Sequence, residues 1–252
     1  MRTDVHVDRM LITSDTHIGS LFCNARPRFV RLMDYAAREG YAICLNGDGI
    51  DVLHTTLGRM TLEGTALLRE FRRIGESTTI YYTIGNHDII LEHGVGDWGG
   101  LQLVPFLNVS SGGKRIRVEH GHLYDPFLMK YPDLQPALTR FIGWCCRFYP
   151  PWYHLEERIK QVRYRHLGKL FARTNHEKGL VYRDDENPSF IEAAEELSQR
   201  GFDAVIFGHT HHPGSMPLNG NRAQYFNTGS WSQDPHYITI DKGEISLKRW
   251  RG

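Results

Sequence analysis

The chain has 252 residues with 30 Lys/Arg against 29 Asp/Glu, long enough to bury a full core and too balanced, at a formal charge of +1, for a global pull toward nucleic acid or anionic membranes. The charged start, MRTDVHVDRM, lacks the apolar stretch of an export signal, and no run of about 18 apolar residues offers a membrane span. Cys23, Cys44, Cys145 and Cys146 form no C-x-x-C pair, so reduced thiols and a cytoplasmic protein are expected.

In chain order, Arg9 to Ser14 is expected to be a strand ending at Asp15. Arg28 to Arg38 repeats apolar residues (Phe29, Leu32, Met33, Ala36) at helical spacing. Tyr41 to Leu45 is a second strand ending at Asn46-Gly47-Asp48, Leu62 to Ile74 a second helix, and Thr78 to Ile84 a third strand running into Gly85-Asn86-His87-Asp88. This alternation predicts parallel strands with right-handed crossovers, which gather functional residues at the carboxyl ends of the strands. From Leu101 the pattern changes: Leu103 to Val109 and Lys114 to Glu119 suggest a hairpin across Ser110-Ser111-Gly112-Gly113. Ala204 to Phe207 is a strand leading into Gly208-His209-Thr210-His211, and segments near Ala223–Asn227, His236–Ile240 and Glu244–Lys248 suggest a second sheet.

Asp15-x-His17, Gly47-Asp48, Gly85-Asn86-His87-Asp88, His120 and Gly208-His209-Thr210-His211 are five separate sources of carboxylate, amide and imidazole groups. Each alone is common, but their joint order is not. The set resembles the calcineurin-like metallophosphoesterase superfamily, whose pattern is D-x-H, G-D, G-N-H-[DE], H and G-H-x-H. The resemblance implies one α/β domain over 1–252, a four-layer α/β/β/α sandwich. It also implies two divalent metal ions, manganese first, with iron, zinc or magnesium as other occupants. Asp15, His17 and His211 would hold one ion, Asn86, His120 and His209 the other, and Asp48 would bridge them. A shared hydroxide would attack phosphorus in line. His87 would contact the phosphate or protonate the leaving oxygen, with Asp88 orienting its ring and Asp51 steadying a histidine ligand. Glu119-His120-Gly121 ends a predicted strand, so His120 is the candidate ligand and His122 the alternative. Single histidines such as His6, His54 and His236 are expected to be ordinary surface or core residues.

An inserted segment at 125–202 is expected to be helical. Residues 130–183 carry 11 Lys/Arg and four acidic residues, a local charge of +7, together with Phe141, Trp144, Phe148, Tyr149, Trp152, Tyr153, Tyr164 and Phe171. In position and character the segment resembles the helical lid of the UDP-2,3-diacylglucosamine pyrophosphohydrolase family of lipid A biosynthesis. The resemblance implies a nucleotide-lipid or other phosphoester substrate, with Arg158, Arg165 and Lys169 on its phosphates and apolar residues on acyl chains. Leu155, Ile159, Val162, His166 and Leu170 share one helix face, which could rest on an anionic membrane at the cytoplasmic face of the inner membrane; plain packing of the lid on the core is the alternative. Two other functions fit the same motifs: a DNA-repair-type nuclease, disfavoured for want of chain to cap DNA, and a non-catalytic binding module, disfavoured because no ligand is missing.

Overall fold

The computed structural model describes residues 3–20, 24–131, 186–232 and 234–252, with isolated positions 137, 140, 141 and 144 between. Two sheets form. The first contains seven strands, β2 (Arg9–Thr13), β3 (Ala42–Asn46), β4 (Ile80–Thr83), β5 (Gly96–Asp97), β6 (Leu101–Val104), β12 (His236–Asp241) and β13 (Glu244–Arg249), in the order β13-β12-β2-β3-β4-β6-β5. The second contains β1 (Asp4–His6), β7 (Leu107–Ser111), β8 (Lys114–Val118), β9 (Ala204–Phe207), β10 (Gly214–Leu218) and β11 (Ala223–Asn227), in the order β1-β7-β8-β9-β11-β10.

The period of two along each strand sorts side chains between layers. Met10 and Ile12 of β2, Cys44 of β3 and Ala204 and Ile206 of β9 meet between the two sheets. Leu11, Ile43 and Leu45 face the opposite way, onto Phe29, Leu32, Met33, Leu67 and Phe71 of helices α1 (Arg26–Arg38) and α2 (Leu57–Gly75). Val205 and Phe207 face Phe190, Ile191, Ala194 and Leu197 of a helix on the outer face of the second sheet, Pro188–Gln199. The layers are therefore helix, sheet, sheet, helix, as expected. Among the described residues no helix is long and apolar enough to cross a membrane.

Several elements differ from expectation. Helix α2 begins at Leu57, where the Thr56 side chain accepts from Arg59 N–H as an N-cap. The apolar run Leu103 to Val109 is two strands: β6 lies beside β4 in the first sheet, and β7 pairs with β8 in the second. Pro105, which has no N–H for a ladder, stands at the break. Gly112 and Gly113, both at positive φ (54° and 79°), make the two-residue turn between β7 and β8. The last two strands do not join the second sheet: β12 returns antiparallel to β2, and β13 lies outside it. Residues 188–199, expected within the inserted segment, form the outer helix of the core instead. Arg158, Arg165 and Lys169, and the helix face that would touch a membrane, lie outside the described residues.

Candidate metal centre

All five motifs leave the ends of neighbouring strands. Asp15 and His17 follow β2, Asp48 follows β3, Asn86 and His87 follow β4, His120 follows β8, and His209 and His211 follow β9. Strands β2, β3 and β4 are parallel to one another, as are β8 and β9, so these loops emerge at common edges of the two sheets. The loops bond to one another directly. Asp15 N–H donates to Gly47 O (3.1 Å), His17 N–H to Asp48 O (3.0 Å), and Gly208 N–H to His120 O (3.1 Å).

Close approach requires three glycines. A Cβ at Gly47 would strike the His120 ring, one at Gly85 would strike Asp48, and one at Gly208 would lie 2.6 Å from Asp15 Oδ2. Each motif glycine thus makes room for a candidate ligand from a different motif. The backbone is also held in an unfavourable form. Among the described residues eight non-glycine residues have positive φ, and five of them are Asp15 (52°), His17 (45°), Asp48 (51°), His209 (66°) and His211 (62°). A left-handed non-glycine residue costs about 1–2 kcal/mol, and such strain concentrates where side chains must converge.

They do converge. Asp15, His17 and His211 form one group whose candidate ligand atoms lie within 4.8 Å of one another, and Asp48, His120 and His209 form another. A third group, His17, Asp48 and His87, overlaps both. His211 Nε2 is 3.2 Å from Asp15 Oδ1 and 3.3 Å from His17 Nε2. His120 Nε2 is 3.3 Å from Asp48 Oδ2, and His209 Nδ1 is 2.9 Å from Asn86 Oδ1. All seven sequence candidates for metal binding are therefore brought together. His122 is buried, yet it joins none of these groups among the described residues.

The electrostatics suit cations. Burial opposes the charge of Asp48, but His120, His87 and His17 outweigh that penalty and hold its carboxyl well below the usual carboxylate range. Burial likewise disfavours protonated His120, yet the charges of Asp48 and Asp15 raise it to about 9. Burial and the nearby His87 push His17 down to about 4. Asp15 Oδ1 and His120 Nε2 are buried and make no hydrogen bond among the described residues. Buried oxygen and nitrogen donors left in this state, in a mixed carboxylate–imidazole–amide set, fit divalent transition ions.

Around this centre the role of one acid, Asp88, differs from expectation, while Asp51 faces the histidine ligand candidate His17 as expected and two further rings besides. Asp88 does not orient His87: its oxygens accept from Gly85 N–H (2.7 Å), Gly49 N–H (2.8 Å) and the Tyr82 hydroxyl, pinning the loop after β4 to the loop after β3. Burial and the charge of Asp48 raise its carboxyl to about 6, against those hydrogen bonds. The carboxylate facing His87 is Asp51, with Oδ1 3.3 Å from His87 Nδ1. Asp51 Oδ2 lies 3.0 Å from His54 Nδ1 and 3.7 Å from His17 Nδ1, so one buried acid faces three imidazoles.

Four residues without a motif of their own belong to this setting. His54, expected at the surface or in the core, is buried against Asp51. Asp125 Oδ2 lies 3.1 Å from His209 Nε2. Trp231 donates its backbone N–H to Asp15 O (3.1 Å) and its indole N–H to Thr13 Oγ1 (2.8 Å), with its ring edge-on to Phe29. Buried Glu186 accepts from Thr210 Oγ1 (3.3 Å) and Tyr225 OH (2.8 Å), holding the residue between His209 and His211. The spacing of Asp125 before Pro126 was the one visible sign, that of a helix N-cap.

A layered α/β/β/α core that converges buried carboxylates, histidines and an asparagine at the strand ends defines a metal-dependent phosphoesterase. The chain belongs to the calcineurin-like phosphoesterase family, which residues 9–213 match. Among curated proteins it is similar to the UDP-2,3-diacylglucosamine hydrolase of Bordetella pertussis (strain Tohama I), at 26% identity over 234 residues, covering 88% of this chain and 85% of that protein. It is also similar to the protein of the same name from Shewanella oneidensis, at 22% identity, covering 95% of this chain and 97% of that one. Among solved structures, a phosphoesterase from E. coli aligns with a TM-score of 0.45 and 15% identity, covering 96% of this chain and 100% of that one.

Proposed function

We propose that the protein hydrolyses a nucleotide-linked lipid phosphoester, a diacylated UDP-sugar being the type substrate, by water attack on phosphorus at a two-ion centre. The observation that carries the reaction type is the overlap of the ligand groups: Asp48 lies in a group with His120 and His209 and in another with His17. That overlap supports Asp48 as the bridging ligand, with Asp15, His17 and His211 on one side and Asn86, His120 and His209 on the other. Two divalent ions bound there would supply an activated water and neutralise charge on the phosphoryl oxygens.

The chain's own residues supply the rest. The Asp48 Oδ1 oxygen accepts the backbone N–H of His87 (2.8 Å), which fixes the bridging carboxylate and the His87 backbone to each other. With Asp51 placed to accept the Nδ1–H of His87, a ring that is also protonated at Nε2 would give its Nε2–H to the leaving oxygen. Burial disfavours the Asp51 charge, but His87 and His54 hold its carboxyl well below the usual range, so it stays an acceptor. The substrate class rests on the two hydrolases named above and on the basic, aromatic stretch 130–183, proposed here as a lid with Arg158, Arg165 and Lys169 on the phosphates.

The test is a hydrolysis screen. Chelator-stripped protein receives Mn, Mg, Zn or Fe(II), then a diacylated UDP-sugar, bis-p-nitrophenyl phosphate or single-stranded DNA. A strong preference for the acylated nucleotide is expected. Cleavage of the generic diester alone would overturn the substrate reading and leave the phosphoesterase standing.

A further inference from the structure

Asp125 stands where the chain leaves the second sheet after His120, and its two oxygens have different partners. Oδ1 accepts from the backbone N–H groups of Phe127 (2.9 Å) and Leu128 (3.4 Å), capping the short helix α3 (Pro126–Lys130). Oδ2 lies 3.1 Å from His209 Nε2, while the other nitrogen of that ring, Nδ1, lies 2.9 Å from Asn86 Oδ1. The ring itself is held on its face and at its edge: Phe190 lies parallel to it at 5.8 Å, and His120 is edge-on at 5.4 Å.

A neutral imidazole has one N–H and one lone pair, and only the lone pair can bind a metal. With Asn86 Oδ1 as its sole polar neighbour, His209 would favour the proton on Nδ1, the wrong nitrogen for an ion shared with Asn86. A carboxylate is a stronger acceptor than an amide oxygen, and Asp125 faces the opposite nitrogen. We propose that Asp125 is the positioning residue of the ion site formed by Asn86, His120 and His209: by taking the Nε2–H it presents the Nδ1 lone pair of His209 to the ion. The inference rests on the reading of His209 as a ligand. It also means that Asp125, the first residue of the segment expected to be inserted, is part of the metal centre.

Asp125→Asn separates this role from simple folding. Its amide oxygen can still cap α3, because the reverse orientation would set an NH2 group against the Phe127 N–H. The NH2 group then faces His209 Nε2, makes that nitrogen the acceptor and moves the ring proton to Nδ1. Manganese binding to metal-stripped wild type, Asp125→Asn and His209→Ala is followed by the electron paramagnetic resonance of free Mn(II), alongside the melting of each metal-free protein. Removing such an outer partner weakens metal binding by about 10- to 100-fold. The expected result is that loss in one of two Mn affinities for Asp125→Asn, with the other affinity and the metal-free melting temperature unchanged. Should the amide variant not fold, Asp125→Ser, which keeps a capping hydroxyl and cannot reach His209, is measured in its place with the same expectation. Wild-type affinity at both sites in the Asp125 variant, with one lost in His209→Ala, overturns the inference alone. Equal weakening of both sites overturns it as well. If His209→Ala keeps both affinities, the ligand reading and the inference fall together.

Discussion

Gly85→Ala adds one methyl group at the point where two motifs interlock. Its Cβ would lie 2.5 Å from the backbone nitrogen of Asp48 and 2.9 Å from Asp48 Cγ, and closer still to Oδ1. No positive φ is required at Gly85, so the effect is steric and falls on the proposed bridging carboxylate. Asp48 has little room to yield: its carbonyl accepts from His17 N–H (3.0 Å), its Oδ1 from His87 N–H (2.8 Å), and its own φ is 51°. Overpacking of this kind costs about 1–3 kcal/mol. At about 2–4 °C per kcal/mol for a chain of this size, the melting temperature should fall by about 2–12 °C. Restoring ordinary contact means moving Asp48 by about 1 Å, which is enough to slow an enzymatic step about 100-fold. The assay pairs thermal melting by circular dichroism with Mn-dependent hydrolysis of bis-p-nitrophenyl phosphate. Gly64→Ala is the control: it lies within α2 with nothing inside 4 Å of the added methyl, so it should gain about 0.5–1 kcal/mol without changing turnover. Gly85→Ala with turnover within threefold of wild type would refute the interlock.

Tyr82→Phe removes the hydroxyl that donates to Asp88 and accepts from Ile50 N–H at 3.0 Å, all of it buried. It should lower stability by about 1–3 kcal/mol, read as a lower urea midpoint at unchanged slope; an unmoved midpoint would count against the clamp between the β3 and β4 loops. Metal binding should stabilise the fold, because buried Asp15 and Asp48 repel one another and His17 lies against His87. At free Mn about 100 times the dissociation constant the gain is about 2.7 kcal/mol, a rise in melting temperature of about 5–11 °C that excess chelator should reverse. A melting curve indifferent to Mn and to chelator would argue against ions at this centre.

The parts of the fold legible in the sequence are those where local pattern and burial coincide. The β2, β3, β4 and β9 strands are continuous apolar runs because both faces are covered, and each ends on a motif. Periodicity says that a residue is buried but not in which sheet, and for this reason β12 and β13 were expected beside β11 rather than beside β2. Strand β10 carries Pro217, which disguises it; as the outermost strand of its sheet it can accommodate a residue that donates nothing. The outer helix Pro188–Gln199 was absorbed into the inserted segment because its sequence has the helical spacing also expected there, and only contact with β9 to β11 assigns it to the core. The metal-binding candidates were legible because their chemistry depends on residue type and order. Asp125, His54 and Tyr82 were not, since each acts through contacts made only by the folded chain. The case of Asp88 is instructive: adjacency to His87 suggested a partner for the ring, but the turn at Gly85 sends the carboxylate inward to backbone N–H groups.

The most direct test of the two-ion centre is a metal titration of stripped protein, wild type and Asp48→Asn, with bound Mn and phosphodiester hydrolysis measured on the same samples. Activity in the wild type should rise with bound metal and level off at two ions per chain, while Asp48→Asn, lacking the shared carboxylate, should lose turnover by several decades and retain its fold. Full hydrolysis by the stripped protein, or wild-type turnover in Asp48→Asn, would contradict the account.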